Sequence, residues 1–196
     1  MRQRLPTLEG TRVRLRWLEP DDLEALLAVF SDPAVMRYWS HEPFTRMAQA
    51  QAYRDGIVDG FRRGTLFQWG IERSDQAGVI GTATLAQIDP VHRRAELGFA
   101  LGRAHWGHSF ARAAATLALD HAFGALGLMR IGADVDPRNA ASLRLLESLG
   151  FQREGYLRES WRVGGGVQDS VILGLLAREW RGQSAPAPVA AGEASP

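Results

Sequence analysis

The 196-residue sequence predicts an α/β fold: a mixed sheet with helices on both faces. Three observations predict it. Short alternating or apolar runs and amphipathic runs of helical period follow one another in the order β, helices, βββ, α, β, α, ββ. A 45% hydrophobic chain of this length fills one sizeable core and is too short for two. The passage from Glu96 to Ala114 joins a strand to an alanine-rich helix through a turn of small residues.

Thr11 to Trp17 alternates polar and apolar residues and reads as the first strand. Asp21 can cap the next helix, with Glu24 three residues on to close a capping box. Leu23, Leu26, Leu27 and Phe30 share its apolar face, which ends near Pro33. A short helical turn over Val35 to Trp39 follows, and Thr45 starts a longer helix from about Arg46 to Arg63, stopped by Gly64. Three strands come next: Leu66 to Glu72, Ala77 to Ile88 and Arg93 to Leu101. After the central turn a helix runs through Ala113 to Phe123, and Met129 to Val135 is a buried strand. Asp136 and Pro137 offer a cap and a proline in the first turn of a helix carrying Leu143, Leu145, Leu146 and Leu149. Gly150 suits its left-handed end. Strands Phe151 to Val163 and Val167 to Leu175, joined by three glycines, close the fold. The domain spans residues 7–181, and the Ala/Pro/Gly/Ser stretch 182–196 reads as a disordered tail.

Composition removes several chemistries. Formal net charge is +1 without a basic block, which argues against nucleic acid as a partner. Cysteine is absent, so disulfides, thiolate metal sites and a cysteine nucleophile are excluded. All 23 basic residues are arginine; Schiff-base enzymes and P-loop phosphotransferases need a lysine, so both are disfavoured. The first ten residues lack the apolar core of a secretory signal, and no run of about 18 apolar residues could span a bilayer. The expectation is a cytoplasmic protein with no membrane partner.

The central turn carries the first functional reading. Gly102 ends a strand, and Arg103, Ala104, His105, Trp106, Gly107, His108 and Ser109 lead into a helix. Free backbone N–H groups at such a helix start can hold a phosphate, whereas the plain alternative is that Gly102 and Gly107 only shape a turn. The run from Gly102 to Ser109 also fits a P-loop spacing with His108 in the lysine position. A neutral imidazole cannot neutralise a transferring phosphate, so that alternative is poor. On the preceding strand, alternation places Glu96, Gly98 and Ala100 on one face and Leu97, Phe99 and Leu101 on the other. His92, His105 and His108 lack the spacing and carboxylates of a metal site, and no metal is expected.

Several segments in order resemble the GCN5-related N-acetyltransferases, in particular the RimJ/RimL-like ribosomal-protein-alanine acetyltransferase branch. Arg14 to Arg16 with Pro20 to Asp22 are similar to the opening strand and helix, and Asp32 to Trp39 with Pro43 to Thr45 to the loop over the acceptor site. Ala95 to Leu101 with Trp106 to Ala111 resemble the acetyl-CoA-binding motif. Asn139 to Ser142 with Leu149 to Phe151 resemble the catalytic helix, and Glu154 to Glu159, Asp169 and Glu179 to Trp180 the C-terminal hairpin. The resemblance covers roughly Thr7 to Trp180. The family turn departs here at Ala104, where Arg or Gln is usual, and at Ser109, where Gly or Ala is usual; Arg103 or His105 could supply the charge.

The resemblance implies a GNAT fold of about seven mostly antiparallel strands, splayed between the fourth and fifth strands to hold acetyl-CoA. It implies transfer of an acetyl group to a primary amine, either a protein N-terminus or a small molecule, by direct attack in a ternary complex. The different-class alternative is an acyl-CoA sensor without transfer activity. Coenzyme contacts fall to Phe99, Ala100, Leu101, Arg103, Trp106, Gly107, His108, Ser109, Phe110, Ala111, Arg112, Asn139 and Ser142, with Arg138 and Arg144 also within reach of the 3′-phosphate. Glu96 is the candidate base, with a salt-bridged or solvated glutamate as the alternative. Ser142 is the candidate donor to the leaving sulfur, or else a helix cap, and Asn139 could cap that helix as well as hold the coenzyme. Tyr38, Trp39, Phe44 and Trp161 are candidates for the acceptor pocket or for the core. Asp169 could attract an ammonium or pair with Arg158. A homodimer is implied by the family alone.

Overall fold

The computed structural model describes residues 4–182; residues 183–196 of the expected tail lie outside them. Eight strands form one sheet in the order β1-β2-β3-β4-β5-β6-β8-β7. They are β1 (Leu8–Glu9), β2 (Val13–Arg16), β3 (Phe67–Arg73), β4 (Val79–Asp89), β5 (Arg94–Leu101), β6 (Arg130–Val135), β7 (Gln152–Val163) and β8 (Gly166–Leu176). The helices are α1 (Leu23–Ser31), α2 (Pro33–Met36), α3 (Met47–Arg63), α4 (Phe110–Asp120) and α5 (Ala140–Ser148). The expected α/β GNAT architecture is present with one more strand than expected. The extra strand is β1, a two-residue run that pairs with β2 through Leu8 opposite Leu15. Among the described residues no helix is long and apolar enough to cross a membrane.

Strand alternation splits the core between the two faces of the sheet. Ile80, Leu97 and Leu101 pack with Ala114, Ala115 and Ala118 of α4 and with Leu143 and Leu146 of α5. Their chain neighbours Val79 and Ala100 face the other way, onto Leu26 and Phe30 of α1 and Ala50 and Ile57 of α3. Alanine along α4 lets that helix lie close to the strands, so dispersion contacts are made at short range.

Local chemistry sets the element ends. Gly64 closes α3 with φ 70° and Gly150 follows α5 with φ 97°, both left-handed positions that a side chain would strain. Gly164 and Gly165 (φ 56° and 78°) form the two-residue turn between β7 and β8, the geometry that matches the twist of paired strands. Two caps differ from expectation, and at a third the structure chooses between two expected residues. Asp22 rather than Glu24 closes the box before α1, accepting from the Glu19 N–H at 2.8 Å across a 3-10 turn, Pro20–Asp22. At α3 the Gln49 Oε1 accepts from Thr45 and Arg46, so Thr45 is a donor there. Before α5 the cap is Asn139, whose Oδ1 accepts from the Ser142 N–H at 3.2 Å. Asp136 instead accepts from the backbone and side chain of Arg138.

A buried ionic network ties β2 to β3. Glu72, 3% exposed, accepts from Arg14 Nε and Arg16 Nε, each at 2.8 Å, and from the Gly78 N–H at 2.6 Å. Arg16 also grips Asp22 with two hydrogen bonds. Burial alone would raise the Glu72 pKa, but the Gly78 N–H and both guanidiniums hold it down to about 2, against an ordinary 4.5. A depressed pKa adds stability above the unfolded value and loses it as pH falls through the folded one. Denaturant titrations should therefore show stability dropping by about 3 kcal/mol between pH 5 and 2 on account of this group. Glu72→Gln should flatten that part of the profile.

Candidate active site

The sheet opens at one place. β5 and β6 pair in parallel only over Arg94 to Glu96 with Arg130 to Gly132, and both strands then continue without pairing to each other. Alternate backbone N–H and C=O groups beyond Glu96 and Gly132 therefore face a gap instead of a partner strand. These strands are the fourth and fifth of the expected seven, so the splay lies where the resemblance puts it. A cavity of about 430 Å³ occupies this region, lined by residues of β3 to β6, β8, α3 and α5 and by the segments after α2 and in β7.

Of the sequence candidates, Glu96, Phe99, Asn139, Ser142, Tyr38, Trp39, Trp161 and Asp169 line the cavity together. Phe44 does not. It is 9% exposed and packs against Phe30 and Tyr53, so the aromatic reading resolves to core. Ala100 and Leu101 also have buried side chains, directed to opposite faces of the sheet.

Glu96 is half-buried, and its Oε2 accepts from Gln87 Nε2 at 2.8 Å. Gly132 pairs across from it, and a Cβ there would stand 3.7 Å from Glu96 Cγ, an ordinary contact. Burial, and then the carboxylate of Asp134, raise the Glu96 pKa above the ordinary 4.5, while Arg94 partly opposes them. No arginine or histidine pairs with Glu96 among the described residues, so the salt-bridge alternative has no partner here. Ser142 sits in the first turn of α5, and its hydroxyl makes no hydrogen bond within the described residues.

The wall contributed by β7 and β8 is held by Asp169. It accepts from Tyr156 Oη at 2.5 Å and from the Glu159 N–H at 2.8 Å, which together keep its pKa below the ordinary 3.8. An ion pair with Arg158 was the alternative, and none forms. The bond to Glu159 pins a bulge in β7 where that residue takes φ 55°. Beyond the bulge Trp161, 44% exposed, reaches over the cavity and donates its Nε1–H to Asp134 at 3.0 Å. Asp134, Tyr53, Gln68 and Thr84 also line the cavity and were not anticipated. Only Asp134 left a signal: it is the polar position between buried Ala133 and Val135, facing as Glu96 does.

The turn after β5 lies beyond this cavity. Arg103–His105 is a 3-10 turn, and the Trp106 Nε1–H bonds back to the Leu101 carbonyl at 2.8 Å. Gly107 and Ser109 are left-handed (φ 79° and 61°) on either side of His108, and α4 begins at Phe110. Left-handed residues next to right-handed ones turn successive N–H groups into one concavity, which suits an anion at a helix start. Ser109 makes no side-chain cap. The charges differ from expectation. Burial, followed by Arg73 and His108, lowers the His105 pKa from 6.5, so it is neutral at pH 7. Arg103 faces Asp32 at 3.9 Å, Arg112 donates to Ser148 and Arg138 to Asp136. Arg144, exposed on α5, makes no ion pair or side-chain hydrogen bond among the described residues.

Residues 12–152 match the family described as Acetyltransferase (GNAT) domain. The chain is 39% identical over 178 residues to an uncharacterized N-acetyltransferase, p20, of Bacillus licheniformis, covering 91% of this chain and all of that protein. It is 28% identical over 169 residues to spermidine N(1)-acetyltransferase of Escherichia coli K12, covering 86% and 88%. The fold superposes on spermidine N-acetyltransferase from Vibrio cholerae, solved in complex with CoA and spermine, with a TM-score of 0.77, 27% identity, and 87% and 98% of the two chains covered. With the splayed sheet and the helix-start turn in place, the chain belongs to the GNAT family and is an N-acetyltransferase.

Proposed function

We propose that the protein transfers the acetyl group of acetyl-CoA directly to a primary amine, with Glu96 as base. The observation that carries this reading is a half-buried carboxylate of raised pKa, without a cationic partner, beside the gap between β5 and β6. The residues fit the coenzyme: a concave helix-start turn for its phosphates, an unpaired Arg144, and Asn139 and Ser142 along the cavity. Acetyl-CoA supplies the thioester carbonyl and the leaving sulfur.

Glu96 takes one proton from the arriving ammonium, directly or through a water, so that the neutral amine attacks the thioester carbon. The second N–H proton passes to the thiolate once the N–C bond has formed. Unpaired N–H groups of β5 between Leu97 and Leu101 meet the negative charge that builds on the carbonyl oxygen. The Ser142 hydroxyl donates to the sulfur as the C–S bond breaks. With no cysteine in the sequence an acetyl-cysteine route is closed, so both substrates are held at once. Indoles and phenol rings of Trp39, Trp161 and Tyr38, with the carboxylates of Asp134 and Asp169, favour an acceptor that arrives as an ammonium. The RimJ/RimL-like motifs favour a protein N-terminal amine, and the relatives named for spermidine favour a small one.

A thiol-release assay with N-terminal peptides and small amines separates the classes. Ser142→Ala should lower kcat by about ten- to a hundredfold with little change in the amine KM, because the lost contact forms only as the sulfur leaves. Acetyl-CoA binding without acetylation of any amine would instead favour a sensor.

A further inference from the structure

One polar pair in the cavity has no part in the steps above. Gln68 is 2% exposed yet lines the cavity, and its Nε2 donates to Tyr53 Oη at 2.6 Å. Burial pushes the Tyr53 pKa up to about 12, so the phenol stays neutral and serves as a fixed acceptor for that amide. Orientation by Tyr53 leaves Gln68 Oε1 as the group without a donor among the described residues. That oxygen is not sealed off from solvent but opens onto the cavity, where water can meet it and a ligand's donor can take the water's place.

The strand register says where this oxygen stands. Gln68 pairs with Thr84, and Thr84 with Gly98, so the three form one row across β3, β4 and β5. Gly98 is two residues from Glu96 and shares its face. A Cβ at Gly98 would meet nothing closer than 3.9 Å, so the floor between the two ends is open. Two strand spacings put Gln68 roughly 10 Å from the strand that carries Glu96. Leu66, Trp39 and Thr84, which line the cavity with Gln68, are uncharged, whereas Ala86 stands opposite Glu96, Tyr38 lies against Arg138, and Glu96, Asp134 and Asp169 are on β5, β6 and β8.

We propose that Gln68, oriented by Tyr53, determines acceptor specificity by accepting a hydrogen bond from a neutral donor, an amide N–H or a hydroxyl, on the tail of the amine. This rests on the reading of the cavity as the acceptor site. A second ammonium at this end would be stripped of water with no carboxylate to meet it, so the site selects against it. The favoured acceptor is a primary amine with a neutral polar tail, such as a peptide N-terminus or a long amino alcohol.

The test uses the full chain, acetyl-CoA and matched-length linear primary amines ending in a hydroxyl, a methyl group, an ether oxygen or a second amine, beside a short peptide amide. Wild type should prefer the hydroxyl-ended amine to the methyl-ended one by about five- to tenfold in kcat/KM, chiefly through KM, as one hydrogen bond allows. Gln68→Met, which keeps side-chain volume, should remove most of that preference. Tyr53→Phe should reduce it in the same direction. Because the readout is a ratio between two substrates on one protein sample, a general loss of folded enzyme does not move it. A preference for the peptide amide with none for the hydroxyl would assign the donor as an amide N–H. The proposal is overturned if the preference survives Gln68→Met, if the ether-ended amine behaves as the hydroxyl-ended one does, or if the second amine is preferred through Gln68. If no amine is acetylated, the acceptor reading itself fails and takes this proposal with it.

Discussion

Glu96→Gln should lower kcat for amine acetylation by about 10²- to 10⁴-fold, the range a positioned general base contributes, while acetyl-CoA still binds. The amide keeps the shape of the side chain and can still meet Gln87, but it cannot take a proton. The pH dependence makes the test specific. Burial and Asp134 favour the protonated form of Glu96, so its active carboxylate appears only as pH rises through a value above 4.5. In wild type kcat/KM should therefore rise along an acid limb displaced upward from an ordinary glutamate. Asp134→Asn removes the repelling charge and should move that limb to lower pH, and Glu96→Gln should abolish it. A limb that survives Glu96→Gln unchanged would reassign this carboxylate to holding the amine.

Much of this fold could be read from the sequence because local chemistry and tertiary structure agree. Alternation along Arg94 to Leu101 gives both the strand and its two faces, and Gly64, Gly150 and the Gly164–Gly165 turn stand where only left-handed backbone fits. What was missed depends on contacts far apart in the chain. Two residues such as Leu8 and Glu9 carry no period, so β1 exists only because β2 offers an edge. Asp136 does not cap α5 because the helix starts only at Ala140, which leaves the cap to Asn139, one of the two roles expected of that residue, and leaves Asp136 to hold Arg138. Phe44 lies in the segment that resembles the loop over the acceptor site, but Phe30 and Tyr53 enclose it. Gln68 reads as an ordinary polar residue in a strand, and only α3 laid over β3 brings Tyr53 to it. The candidates Glu96, Ser142 and Trp161 were reachable through motif order, whereas Asp134 and Gln68 needed the sheet assembled.

Gly107→Glu should lower acetyl-CoA affinity by at least about a hundredfold by calorimetry, or roughly 2.7 kcal/mol. Two costs combine at this position. Gly107 sits at φ 79°, where a side chain adds about 1–3 kcal/mol of strain, and a carboxylate there would repel the phosphates that the turn is arranged to hold. Gly107→Ala separates them. A Cβ at Gly107 meets nothing within 4 Å, so alanine carries the backbone cost without a clash or a charge and should weaken binding much less. Ser109→Gly provides the opposite control: its φ of 61° suits glycine better than serine, and its hydroxyl caps nothing that would be lost. That variant should bind acetyl-CoA about as well as wild type and unfold no more easily. If Gly107→Glu binds acetyl-CoA as wild type does, the concavity between β5 and α4 is a turn and not a phosphate site, and the coenzyme must enter the cavity by another edge.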